Sequence, residues 1–201
     1  YSCSNNFFEK KGEKYLNYEE GLFVGYRSFD KDNVEPAFPF GFGMSYTRFS
    51  YSNLKVKHTG KQCQVKVDVT NTGKVAGKEV VQLYVADKNG TPGRCIKELK
   101  GFEKLSLQPG ETKTASMVID ARALSFYHEG LGDWYAPSGT DEVLVGHASN
   151  DIKLTAEVSF TTAKKLPLVI TGATTLGELL KDSRTAAVAG KMVAEMGKAF
   201  G

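Results

Sequence analysis

The stretch Cys63-Gln64-Val65-Lys66-Val67-Asp68-Val69-Thr70-Asn71-Thr72-Gly73 decides the fold. Cys63, Val65, Val67 and Val69 alternate with Gln64, Lys66, Asp68 and Thr70. A period of two places the two sets on opposite faces of a strand, so one face meets a core and the other meets water. Asn71-Thr72-Gly73 then supplies turn chemistry that ends the strand. Cys63 falls on the inward face, where a small buried hydrophobe is expected.

Outward from this strand the same pattern repeats. Upstream, Phe49, Tyr51, Leu54 and Val56 open the period-two region. Downstream, Val81, Leu83 and Val85 alternate and stop at Asp87-Lys88-Asn89-Gly90. Leu99 to Leu107 follows, then a Pro109-Gly110 turn and Ala115, Met117 and Ile119. Trp134-Tyr135 lead through Pro137 and Gly139 to Val143 and Val145. Ile152, Leu154, Ala156, Val158 and Phe160 close the series. About seven short strands separated by Gly/Pro turns, with no amphipathic helix between them, predict an antiparallel β-sandwich of the immunoglobulin or fibronectin type III-like kind over residues 48–161. The lone Trp134 is read as core packing.

Before the sandwich lies Pro36-Ala37-Phe38-Pro39-Phe40-Gly41-Phe42-Gly43-Met44-Ser45-Tyr46-Thr47. Proline fixes φ and glycine frees it, so this is a stiff, irregular, aromatic connector. Ahead of it, Gly21-Leu22-Phe23-Val24-Gly25-Tyr26-Arg27 predicts a strand without partners in this chain, an orphan of a preceding α/β domain. Residues 1–47 are therefore assigned to the end of that domain plus the linker. The start at Tyr1 is read as a cut or trimmed chain. Ser28 to Glu35 is a charged turn; Asp30 and Asp32 begin like a calcium loop but lack its glycine and its distal glutamate.

After residue 161 the period changes again, and 162–201 are expected to form a helical extension. Thr175-Leu176-Gly177-Glu178 fits a capping box for a short helix to about Lys181. A second helix, about 184–199, carries Val188, Met192, Met196 and Phe200 at spacing four, an apolar stripe suited to docking or to pairing as a homodimer.

Composition narrows the function. With 26 basic against 23 acidic residues the net charge is +3, too balanced to demand nucleic acid or a membrane surface. No 18-residue apolar run exists and the N-terminus lacks a signal-peptide pattern. Cys3, Cys63 and Cys95 form no CxxC pair, which argues against structural zinc; their odd number leans towards a reducing, cytoplasmic compartment. His58, His128 and His147 are far apart, each expected on a surface or strand. No nucleophile elbow, Cys/His signature or phosphate loop occurs. Glu19, Glu20 and Glu129 lie near aromatics, but spacing cannot place them on one sugar. Asn89-Gly90-Thr91 is a formal glycosylation acceptor. Lys55, Lys57, His58 and Lys61 read as a solvated strand face. No catalytic, cofactor-binding or metal-binding residue is assigned, and no cofactor is expected. Tyr127, Trp134 and Tyr135 would form a sugar platform if exposed, the mark of a carbohydrate-binding module.

Several motifs carry a family resemblance. Tyr18-Glu19-Glu20-Gly21-Leu22-Phe23-Val24-Gly25-Tyr26-Arg27 resembles the Y-x-E-G-[IL]-[FY]-V-G-Y-R run of glycoside hydrolase family 3, the β-glucosidases and relatives. Phe38 to Thr47 is similar to that family's F-P-F-G-[HY]-G-L-S-Y-T, with Phe42 and Met44 departing from it. Val69 to Gly73, Ala76 to Tyr84, Lys97 to Phe102, Leu107 to Thr112 and Val143 to Gly146 resemble its fibronectin type III-like domain. Thr175 to Leu180 is similar to C-terminal extensions of some members. The resemblance implies a barrel domain with the aspartate nucleophile and an α/β-sandwich domain with the glutamate acid/base, both preceding this region. Neither motif is found in this chain. It further implies a β-glucoside substrate met through the parent enzyme, the upstream domains as partners, and a structural role for Glu19, Glu20 and Arg27. The Leu22–Tyr26 strand would complete the α/β sheet, and the Pro-Phe-Gly loop would bridge the domains.

Overall fold

A computed structural model describes residues 20–59, 62–88, 91, 93–162, 164 and 166–200, the side chains of Thr59, Ala199 and Phe200 excepted. Cys3, Tyr18, Glu19, Lys61 and the Asn89-Gly90 part of the turn and glycosylation motif lie outside the described residues. The chain forms two compact units, one running to Lys164 and the other following it.

The first unit is built on strands β1 (Phe49–Thr59), β2 (Gln62–Asn71), β3 (Gly77–Asp87), β4 (Lys97–Leu107), β5 (Thr112–Asp120), β6 (Phe126–His128), β7 (Asp133–Tyr135), β8 (Gly139–Ala148) and β9 (Asp151–Phe160). One sheet has the order β1-β2-β5 and the other β4-β3-β8-β9; β6 and β7 make a separate small hairpin. Every pairing is antiparallel. The molecule is the expected mainly-β sandwich of fibronectin type III-like form, followed by a helical extension.

Alternation explains the core. Val65, Val67 and Val69 of β2 are fully buried, as are Val81 and Leu83 of β3, Leu107 of β4, Ala115 of β5, and Val143 and Val145 of β8. Burying each large aliphatic side chain contributes roughly 1.5–3 kcal/mol. Cys63 is buried on the same face, as expected. The turn after β2 is held by Asn71, which is fully buried. Its amide Nδ2 donates to Val75 O at 2.8 Å and Leu107 O at 3.2 Å, and its Oδ1 accepts from Gly73 N at 3.0 Å.

Trp134 is not in this core. It belongs to the β6–β7 hairpin and is 37% exposed. The hairpin pairs with neither main sheet, so an alternating pattern three residues long cannot carry the indole inward.

The orphan strand expected at Leu22–Tyr26 is not formed. Residues 20–22 make a turn in which Phe23 N donates to Glu20 O at 2.9 Å, and helix α1 spans Tyr26–Asp32. A strand exists only when a neighbour satisfies its amides and carbonyls. Gly25, at φ 57°, instead turns the chain so that its carbonyl accepts from Ser28 N and Phe29 N. The helix ends at Asn33 in the left-handed region. The charged turn over 28–35 is thus mostly helix.

Helix α1 and the connector lie on the outer face of the four-stranded sheet. Tyr26 packs edge-on to Tyr84 at 5.8 Å and against Phe40 at 5.5 Å. The β3–β4 register shifts at Leu83/Tyr84, and the Leu99 amide at this point donates to the Tyr26 hydroxyl at 2.8 Å. Lys97 Nζ reaches Asp30 Oδ1 at 2.6 Å. Covered on both sides, β3 buries an unbroken run from Val81 to Val85.

The second unit contains α2 (Leu176–Lys181) and α3 (Ala186–Phe200). The capping box is present as read: the Thr175 hydroxyl accepts from Glu178 N while Glu178 Oε2 accepts from Thr175 N at 2.7 Å. Helix α3 starts two residues later than the expected 184, after a turn at Asp182 whose carboxylate accepts from Arg184 N at 2.8 Å and whose carbonyl accepts from Thr185 N and Ala186 N.

Candidate functional site

The connector is irregular in backbone but firmly placed. Ser149 N donates to Phe40 O at 2.9 Å, and the Thr47 hydroxyl reaches Asn71 Oδ1. Gly41 sits at φ +89°, where a Cβ would stand 1.9 Å from Gln82 Nε2. That Gln82 amide is itself anchored, donating to His147 O at 2.9 Å and accepting from the Tyr84 hydroxyl. Only glycine fits the close approach.

A polar cluster plugs the sandwich beside the connector. Glu79 is buried between the sheets; its Oε1 accepts from the Tyr51 hydroxyl at 2.6 Å and pairs with His147 Nδ1 at 2.8 Å. His147 Nε2 faces Gly43 O at 3.4 Å. Burial first, then the hydrogen bond to Glu79, pushes the Tyr51 phenol well above its usual range. Sequence reasoning left His147 as an ordinary strand residue. The missed signal was parity: Glu79 shares the inward register of Val81 and Leu83, and His147 that of Val143 and Val145.

With the backbone pinned, the connector's large side chains still face outward. Phe38 is 73% exposed, Met44 93% and Tyr46 100%; Phe40 and Phe42 are half exposed. Phe38 and Phe42 pack together at 5.2 Å. Phe23 is partly covered, with Lys31 Nζ 4.3 Å above its ring. Phe102, paired with Gln82 across the sheet, is exposed as well. Soluble proteins rarely leave such a run of aromatics in water unless a partner covers it.

The other sequence candidates do not converge. Glu129 lies in a short 3₁₀ turn between β6 and β7, whereas Glu20 lies in the turn before α1. Lys55, Lys57 and His58 are exposed on β1. Asp30 pairs with Lys97. Among the described residues no group of three His, Cys, Asp or Glu side chains gathers for a metal, and no helix is long and apolar enough to cross a membrane. Tyr127 and Trp134 do come together, edge to face at 5.7 Å, with Arg122 lying 3.2 Å over the indole.

Residues 79–149 match the fibronectin type III-like domain family. Over 185 residues the chain is 43% identical to thermostable beta-glucosidase B of Acetivibrio thermocellus, covering 90% of this chain and 24% of that protein. The crystal structure of the Bifidobacterium adolescentis GH3 beta-glucosidase superposes with a TM-score of 0.79 at 37% identity, over 94% of this chain and 27% of that one. The chain is a fibronectin type III-like segment related to the family 3 β-glucosidases. The beta-glucosidase of Kluyveromyces marxianus, solved with glucose, matches this segment at a TM-score of 0.70 and 41% identity, over 73% of this chain and 18% of its own. The segment thus spans about a quarter or less of these relatives' length. The two motif departures, Phe42 and Met44, both fall on exposed connector positions; Phe42 packs on Phe38, and Met44 is almost wholly exposed.

Proposed function

We propose that this chain is the C-terminal, non-catalytic docking and stabilising part of a larger β-glucosidase-like glycoside hydrolase. That parent hydrolyses terminal β-glycosidic bonds by a retaining mechanism, with its nucleophile and acid/base outside these 201 residues. The observation that carries this reading is the exposed aromatic run on a pinned connector, from Phe38 to Tyr46. Residues 1–47 belong to the end of the preceding domain and its linker, 48–161 to the sandwich, and 162–201 to the extension. The upstream catalytic domains are the partner that covers the aromatic face.

Purified chain is expected to show no turnover of an aryl β-glucoside. Hydrolysis abolished by a single carboxylate substitution would overturn the reading.

Val188, Met192 and Met196 lie exposed along α3 and form the surface through which two copies would pair, on the helix that ends at Phe200. Removing residues 172–201 should lower the mass in solution to that of one chain; an unchanged mass would exclude the dimer.

A further inference from the structure

Beside the β6–β7 hairpin opens a cleft of ≈ 880 Å³, within the size range of small-ligand sites. Its wall carries Trp134 and the half-exposed Tyr127. Its charges are balanced: Arg94, Lys100 and Arg122 line it together with Glu98, Asp120 and Glu129, Lys100 pairing with Glu98 at 3.1 Å. The Arg94 side chain is 5% exposed and ion-paired through Nη1 with Asp87 at 3.7 Å and Asp141 at 4.0 Å, while its buried Nε has no hydrogen-bond partner. His128 Nδ1 is likewise buried without a partner.

This combination selects a chemical class. With as many carboxylates as cations in the lining, and Arg94 and Lys100 already ion-paired, neither an anion nor a cation gains a net attraction here. A neutral polyol profits from both kinds of group, because each hydroxyl donates to a carboxylate and accepts from a guanidinium. The C–H face of a pyranose ring suits the half-exposed Tyr127 ring, whose apolar area is rigid, while Arg122 covers one face of the neighbouring Trp134 indole. We propose that this cleft binds a neutral β-linked glucan. Sugar binding rests on the cleft itself; the β linkage rests on the glucosidase reading above.

Trp134 is the chain's single tryptophan, so its emission reports this cleft alone. Cellotetraose titrated into the purified chain shifts that emission and the Trp134 indole N–H resonance saturably, with a Kd of about 0.1–5 mM. Tyr127→Ala keeps the reporter and weakens binding about tenfold or more. Arg122→Ala, a change outside the hairpin, weakens it severalfold and keeps the test valid if Tyr127→Ala unfolds. Phe102→Ala, on the four-stranded sheet, leaves it unchanged. Both signals flat with cellotetraose would overturn the proposal, as would undiminished affinity in the Tyr127 and Arg122 variants. An equal response to maltotetraose would overturn the β-linked assignment. Neither result bears on whether the chain hydrolyses a glucoside, which tests the docking reading separately.

Discussion

The Thr47 hydroxyl donates a 2.5 Å hydrogen bond to the side-chain oxygen of Asn71, joining the end of the aromatic connector to the end of the second strand. Both groups are buried, and Asn71 satisfies its remaining side-chain valences on Gly73, Val75 and Leu107. The connector is thereby part of the sandwich rather than a tether to it.

Asn71→Ala should destabilise the chain by about 2–4 kcal/mol, because it removes hydrogen bonds to two carbonyls, one amide and one hydroxyl at once. Thr47→Val should cost less, about 1–2 kcal/mol, since it leaves one acceptor with a second donor still in place. Urea unfolding measures both; a loss for Asn71→Ala no larger than for Thr47→Val would refute the hub role of Asn71.

Gly41→Ala should loosen the connector while leaving the sandwich folded. The methyl group would collide with Gln82 and the backbone would sit in a region L residues avoid, costing about 1–3 kcal/mol. Gly146→Ala should be worse, because its Cβ would stand 2.2 Å from the Asp151 carbonyl, a backbone atom that cannot swing away. Limited proteolysis within residues 36–47 reads the first effect and loss of cooperative unfolding the second. Equal protease resistance of Gly41→Ala and the parent chain would contradict the close approach.

Alkaline pH should weaken the fold through Tyr51 and Tyr84. Both phenols are pushed up, by burial first in each case, with Glu79 adding to Tyr51 and Tyr26 adding to Tyr84. A folded pKa above the unfolded one gives stability that is complete below the ordinary phenol value of about 10 and lost as pH rises beyond it. The urea midpoint should therefore fall between pH 9 and 11. Tyr51→Phe should flatten that fall while costing about 1 kcal/mol at pH 8 through the lost bond to Glu79. An unaltered pH slope in Tyr51→Phe would remove Tyr51 from the account.

Acid should weaken the helical extension through Asp182. Hydrogen bonds from Arg184 hold the partly exposed Asp182 carboxyl down at about 2. A depressed carboxyl contributes stability that is whole above its ordinary value near 4 and lost as pH falls towards 2. Helical circular dichroism should decline over that window, and Asp182→Asn should begin low and change little. A decline of the same size in Asp182→Asn would show that other carboxylates are responsible.

Local pattern alone determined the sandwich strands, the buried Cys63 and the capping box at Thr175, because each depends on residues close in sequence and on a periodicity that a single strand or helix turn enforces. Three features needed the tertiary structure. Leu22 to Tyr26 reads as a strand by composition, yet a strand requires a neighbour, and without one the segment turns at Gly25 into a helix. Trp134 reads as core by residue type, yet its hairpin stands apart from both sheets and opens onto a cleft beneath Arg122. Glu79 and His147 lie 68 positions apart and meet only because β3 and β8 are neighbours in one sheet. Hydrophobic periodicity says which side of an element turns inward, but contact between distant elements sets which polar groups find each other there and which aromatics are left facing water.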